Sequence, residues 1–158
     1  MESKPSSIKI ISIIILISSI LLIFCNLSAF LIWAIMDVDA SPPDSYEYKN
    51  YGDHLFNWMF ENLDIMYFGL VIIGIILIPT SIYIKKYKKW ALNLLSIILT
   101  FAIVNILTFF VSMIFSIYPN IEIKMFIIIP IVFALLFITP FVVFIVYLNK
   151  HSFKSHFV

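Results

Sequence analysis

Asp37, Asp39, Asp44, Glu47, Asp53 and His54 bring hard oxygen ligands and an imidazole into one short stretch, and that combination suits a divalent cation. Asp37-Val38-Asp39 starts as a calcium loop does, with alternate carboxylates. The match ends there. Pro42 stands where such a loop needs Gly for its sharp turn, and Tyr48 where it needs a bidentate Glu. No metal site is expected, and the charges read as a solvated acidic segment. The same stretch interleaves Tyr46, Tyr48, Tyr51, Phe56 and Trp58 with Asp44 and Glu47. Tyr and Trp are enriched where proteins meet proteins and where proteins meet lipid headgroups, so these seven residues are the candidate partner contact.

The other chemistry-bearing positions are sparse. Cys25 is the only cysteine, which excludes an internal disulfide and a dithiol redox cycle. Phe24 precedes it where a lipidation site needs a small residue, and Cys25 reads as a small apolar packing residue. No HExxH, GxSxG, phosphate loop or paired-cysteine metal site occurs. The ten basic residues are all Lys, so no bidentate guanidinium is available for phosphate or carboxylate, and nucleic-acid binding is excluded. The remaining candidates are weakly polar residues in apolar surroundings: Asn26, Asn93, Thr100, Asn105 and Thr108. Two helices packed in lipid can exchange hydrogen bonds through such groups.

Those residues sit on four apolar stretches: Ile10–Met36, Leu63–Ile84, Trp90–Tyr118 and Met125–Leu148. Each exceeds the ~20 residues a helix needs to cross a bilayer's hydrocarbon. With 63% hydrophobic and 12% charged residues, the chain carries more apolar surface than a soluble domain of 158 residues can bury. The expected fold is an all-α membrane protein, a four-transmembrane-helix bundle forming a single domain over 1–158. The interiors of the four spans hold no Asp, Glu, His or Arg. A proton-coupled transporter or an intramembrane hydrolase needs a group that gains and loses charge inside the membrane, so neither is expected, nor is any enzyme or cofactor.

The Lys residues orient the spans. Lys4, Lys9, Lys85, Lys86, Lys88, Lys89, Lys150 and Lys154 fall on one side, and only Lys49 and Lys124 on the other. By the positive-inside rule both termini are cytoplasmic, the protein is multi-pass in the cell membrane, and residues 37–62 form a long outer loop. The Lys-rich composition with abundant Ile, Phe and Asn suggests AT-rich coding, hence a bacterial source. Lys4 and Lys9 before an Ile-rich run also resemble a signal peptide, but the run is about twice a signal core, so an uncleaved anchor is expected.

Within the outer loop, Ser41-Pro42-Pro43-Asp44 reads as a turn. Asp53 is placed to cap a short helix carrying Leu55, Phe56, Trp58, Met59 and Phe60, lying at the membrane surface or extending span two. Short links make spans two, three and four successive hairpins and leave span one freer. Ser12, Ser19, Asn26 and Trp33 recur every seven residues and should face inward. Asn93, Ser96 and Thr100 mark one face of span three and Asn105, Thr108, Ser112 and Ser116 another, so span three is expected to be central, with Asn26 and Asn105 at matching depth and able to bond each other. Gly69 and Gly74 are five apart and make no close-dimer motif. Pro130 and Pro140 divide span four into thirds.

The function expected from these residues is non-catalytic: contact with another membrane or extracytoplasmic protein, as an accessory subunit, a regulator or an immunity factor against a secreted toxin. The alternative is a homo-oligomeric channel or facilitator lined by the Asn and Thr residues of spans one and three.

Overall fold

The computed structural model describes residues 6–36, 51–117 and 125–158. Helix accounts for 93% of them, and no strand occurs among them. The elements are α1 (Ser6–Met36), α2 (Tyr51–Glu61), α3 (Leu63–Lys85), α4 (Lys89–Ile117), α5 (Met125–Asn149) and α6 (His151–Lys154). Four of them, α1, α3, α4 and α5, are long and apolar enough to cross a membrane. They coincide with the four apolar stretches to within a few residues, because an isolated apolar run in lipid must satisfy its own backbone groups and only a helix does so locally. The short helix between the first two spans already includes Tyr51, so Asp53 lies within α2 rather than ahead of it.

By contact the chain groups into two compact units, residues 1–37, 64–98 and 146–158, and residues 38–63 and 99–145. In the first unit α1 and α3 run antiparallel. The Ser12 hydroxyl donates to the Ser81 carbonyl at 2.7 Å, Gly74 lies against Ser19 and Ile23, and Phe30 meets Phe68 with centroids 6.2 Å apart. Along α1 the buried positions are Ile8, Ile11, Ser12, Ile15 and Ser19, and along α3 Val71, Gly74, Thr80, Ser81 and Ile84. Both sets follow the three-and-four spacing of one helix face. Lipid offers no hydrophobic drive for this pairing, so close van der Waals fit between small residues must hold it. Gly74 carries that fit: a Cβ there would stand 2.6 Å from Ile23 Cγ1 and 3.2 Å from the Ser19 carbonyl oxygen. Gly69, with nothing within 4 Å, is open.

Two expectations change here. Span one is not the freely placed helix: 28% of its apolar window is buried, against 6% for α4 and for α5. Connection length limits which helices can be neighbours but does not say which pack best, and the serine and glycine positions decide that. The prolines do not break span four either, since α5 continues through Pro130 and Pro140 as one helix. Beside the second, the Thr139 hydroxyl donates to the Leu135 carbonyl at 2.6 Å, whereas the carbonyl that Pro140's missing N–H leaves free is that of Leu136.

The turn between α3 and α4 ends α3 with a Schellman motif. The Tyr87 amide donates to the Ile84 carbonyl at 2.9 Å and the Lys88 amide to the Tyr83 carbonyl at 3.0 Å. The left-handed position of this motif, usually glycine, is Tyr87 with φ of 60°. After α5 the chain turns back, and α6 with the residues following it is anchored at this same turn. The Val158 amide donates to the Tyr87 carbonyl at 2.9 Å, and the Lys89 amide to the Val158 carbonyl at 3.0 Å. Phe153 and Phe157 are buried. Phe157 packs on Tyr87 at 6.0 Å and on Phe153 at 5.3 Å, and Phe153 on Tyr147 at 5.1 Å.

In the second unit α4 and α5 meet through Phe110 and Phe137, stacked at 6.2 Å, with Phe109 edge-on to Phe110 and Phe133 stacked on Phe137. Ser112 and Pro130 are buried.

Candidate functional site

Of the seven residues proposed as a partner contact, Asp44, Tyr46, Glu47 and Tyr48 lie outside the described residues, as do Asp37 and Asp39. Tyr51, Phe56 and Trp58 fall on α2, with Asp53. Within this short helix His54, Leu55 and Trp58 share an outward face. Leu55 is 39% exposed and Trp58 52%, whereas Met59 is 8% exposed. The helix is therefore two-faced, anchored by Met59 and offering an indole with an aliphatic neighbour. Asn62 finishes it, donating through both its backbone N–H (3.1 Å) and its side-chain amide (2.8 Å) to the Trp58 carbonyl. That double bond to one carbonyl fixes the last turn and with it the position from which Trp58 projects. Asn62 is the single residue between α2 and α3.

The weakly polar residues of the spans behave differently from the expectation. Asn26 is half-buried and its amide donates to the Leu22 carbonyl of its own helix at 2.7 Å. Asn105 is exposed, and its amide donates to the Phe101 carbonyl at 2.8 Å. Each amide is thus satisfied four residues back, where a short polar side chain on a helix reaches most easily. Asn93, Thr100 and Thr108 are also exposed. The face of α4 that is buried carries Ala91, Leu92, Leu95 and, further along, Ser112, so volume rather than polarity selects it over its first turns. In α1 the seven-residue stripe does face inward at Ser12 and Ser19, and relaxes to half-buried at Asn26 and Trp33.

The end of the first unit that holds the α3–α4 turn carries a second assembly that the charge pattern alone left as a topology signal. Lys85, Lys86, Lys88 and Lys89 are exposed on the turn, and Lys150 and Lys154 on the returning tail. Tyr83, Trp90 and Tyr147 surround them at 37%, 47% and 36% exposure. Tyr83 packs on Trp90 at 4.9 Å, and the Lys86 ammonium lies over the Tyr83 ring at 5.3 Å. The signal available in the sequence was Phe153 and Phe157, one helical turn apart in an otherwise polar tail.

Among the described residues no three His, Cys, Asp or Glu side chains come together to hold a metal ion. Cys25 is exposed on α1 and is not the packing residue expected. The chain matches no protein-family profile, no curated protein and no solved structure.

Proposed function

We propose that this chain is a non-catalytic multi-pass protein of the bacterial cell membrane that acts by binding another protein through α2 and the acidic, aromatic segment preceding it. In this reading both termini are cytoplasmic, and the contact surface faces outward from the cell, where a membrane or extracytoplasmic partner meets it. The observation that carries it is the outward pairing of Leu55 and Trp58 on a helix anchored by Met59. Aromatic anchors of this kind supply most of the affinity in protein interfaces, and the acidic rim of Asp44 and Glu47 accelerates encounter with a basic partner. Accessory subunit, regulator and toxin-immunity factor all share that requirement.

The test is replacement of Tyr46, Tyr48, Tyr51 and Trp58 by Ala, with activity and membrane level measured together. Activity should disappear at unchanged membrane level, and neutralising Asp44 and Glu47 should weaken it in a salt-dependent way. Full activity after exchange of residues 37–50 for a Gly/Ser linker, combined with Trp58→Ala, overturns the proposal.

One observation favours a second reading. Asn93, Thr100, Asn105 and Thr108 are all exposed on α4, so a pathway lined by them, with Asn26, requires several copies of the chain to enclose it. A channel or facilitator then shows solute flux in vesicles that is lost when these residues become Leu, together with an oligomer of the purified protein.

A further inference from the structure

The returning tail places like charges side by side. Hydrogen bonds between Val158 and the Tyr87–Lys89 turn, and the rings of Phe153 and Phe157, bring Lys150 and Lys154 to the end of the unit already occupied by Lys85, Lys86, Lys88 and Lys89. No Asp or Glu occurs among the described residues at this end, 6–14, 80–98 and 146–158. His151 and His156 are exposed on the same tail. Buried Phe153 and Phe157 alternate with exposed Lys154, Ser155 and His156, so the aromatic side turns into the protein and the cationic side out. Repulsion opposes this arrangement, and no carboxylate side chain among the described residues at this end neutralises it.

The depth of the cluster names its counter-charge. Tyr83, Trp90 and Tyr147 are half-exposed around it, and such rings settle at the headgroup level of a bilayer. The Lys86 ammonium over the Tyr83 ring belongs to the same layer. In a bilayer, ammonium groups at that depth meet the phosphate oxygens of the headgroups.

We propose that the α3–α4 turn and the returning tail together form a docking surface for anionic phospholipid headgroups of the adjoining leaflet, with the lysine ammonium groups engaging lipid phosphates. The surface serves to hold an anionic lipid shell at this end of the protein. This inference does not rest on the partner contact proposed at α2.

The test uses the full chain reconstituted in vesicles of phosphatidylcholine with a minority of phosphatidylglycerol, then extracted in mild detergent, with the co-extracted lipid quantified by mass spectrometry. Phosphatidylglycerol should be enriched over the bulk ratio at low salt and fall toward it at high salt. Each lysine removed should lower the enrichment by up to about fivefold, the factor matching ~1 kcal/mol per Lys at an anionic surface. Changing Lys85, Lys86, Lys88 and Lys89 to Gln should abolish the enrichment, and changing them to Arg should retain it. Because the Gln variant also weakens the topology signal, Lys150→Gln with Lys154→Gln provides a milder variant, expected to lower the enrichment partially. A retained lipid ratio equal to bulk, or one unchanged by both sets of Gln substitutions, overturns the proposal. So does full displacement of the lipid by millimolar inorganic phosphate, which would mark a site for the free ion, or enrichment that survives salt while an acidic peptide competes it away.

Discussion

Gly74 and Tyr87 show how much a single position can carry when the solvent is lipid. Gly74 lets α1 and α3 approach until a methyl group would strike Ile23 and crowd the Ser19 carbonyl. Gly74→Ala should therefore destabilise the chain by about 1–3 kcal/mol, the usual cost of overpacking. Gly69→Ala meets open space and should be neutral or stabilising by up to about 1 kcal/mol through helix propensity. Thermal unfolding of both variants in the same detergent decides it, and equal effects would refute the close-approach argument. Tyr87 pays a left-handed backbone penalty of about 1–2 kcal/mol for a non-glycine residue. Its ring contact with Phe157 offsets this, since aromatic pairs contribute about 0.5–1.5 kcal/mol beyond burial. Tyr87→Gly should thus be close to neutral in the native chain, and less costly or more stabilising once Phe157→Ala has removed one of the ring's contacts. A double-mutant cycle on thermal stability measures that coupling, which should be at least about 0.5 kcal/mol.

At the scale of helices, the pairing of α1 with α3 rests, among the described residues, on the Ser12–Ser81 hydrogen bond, the close approach at Gly74 and the Phe30–Phe68 contact. Ser12→Ala removes the bond to the Ser81 carbonyl and should cost about 0.6–1.7 kcal/mol, the range found for such bonds in membranes. Asn105→Leu is different: the amide is exposed and bonds only its own helix, so the substitution should shift stability by no more than about 1 kcal/mol and leave the fold intact. Denaturation in mixed micelles compares the two, and a larger loss for Asn105→Leu would show that another helix or another copy covers that face. The same comparison explains why polarity misled the reading of span three. A polar side chain on a membrane helix can bond its own i−4 carbonyl whether it is packed, as Thr80 and Ser112 are, or exposed, as Asn105 is, and no sequence pattern separates those cases.

For the whole molecule, the charge asymmetry makes a sided prediction. Under the proposed orientation, single cysteines at Ser3, Lys88 and Ser155 in a Cys25→Ser background should resist a membrane-impermeant reagent added from outside, while one at Pro43 should react. Reaction at Lys88 from outside would invert the topology. The folded tail adds a second requirement, because Lys88 lies in the turn that Val158 bridges. Its labelling after membrane permeabilisation should quicken in Phe157→Ala if the tail covers it.

The four spans and the short helix between the first two were legible from sequence because each depends on local causes: unbroken hydropathy, the need of a backbone in lipid to bond itself, and turn residues between apolar runs. The inward stripe of Ser12 and Ser19 was legible for the same reason, since a seven-residue repeat holds one face of a helix. Which helix would receive that stripe was not. Gly74 had no motif around it, and its role exists only where Ile23 and Ser19 arrive from the other helix. The tail, too, carried only the charges of Lys150 and Lys154 as a signal, and its contact with the Tyr87 turn joins residues that have no local sequence relation. Local propensity and hydropathy belong to the chain itself, whereas close approach, ring stacking and the gathering of like charges come into being only when distant segments share space.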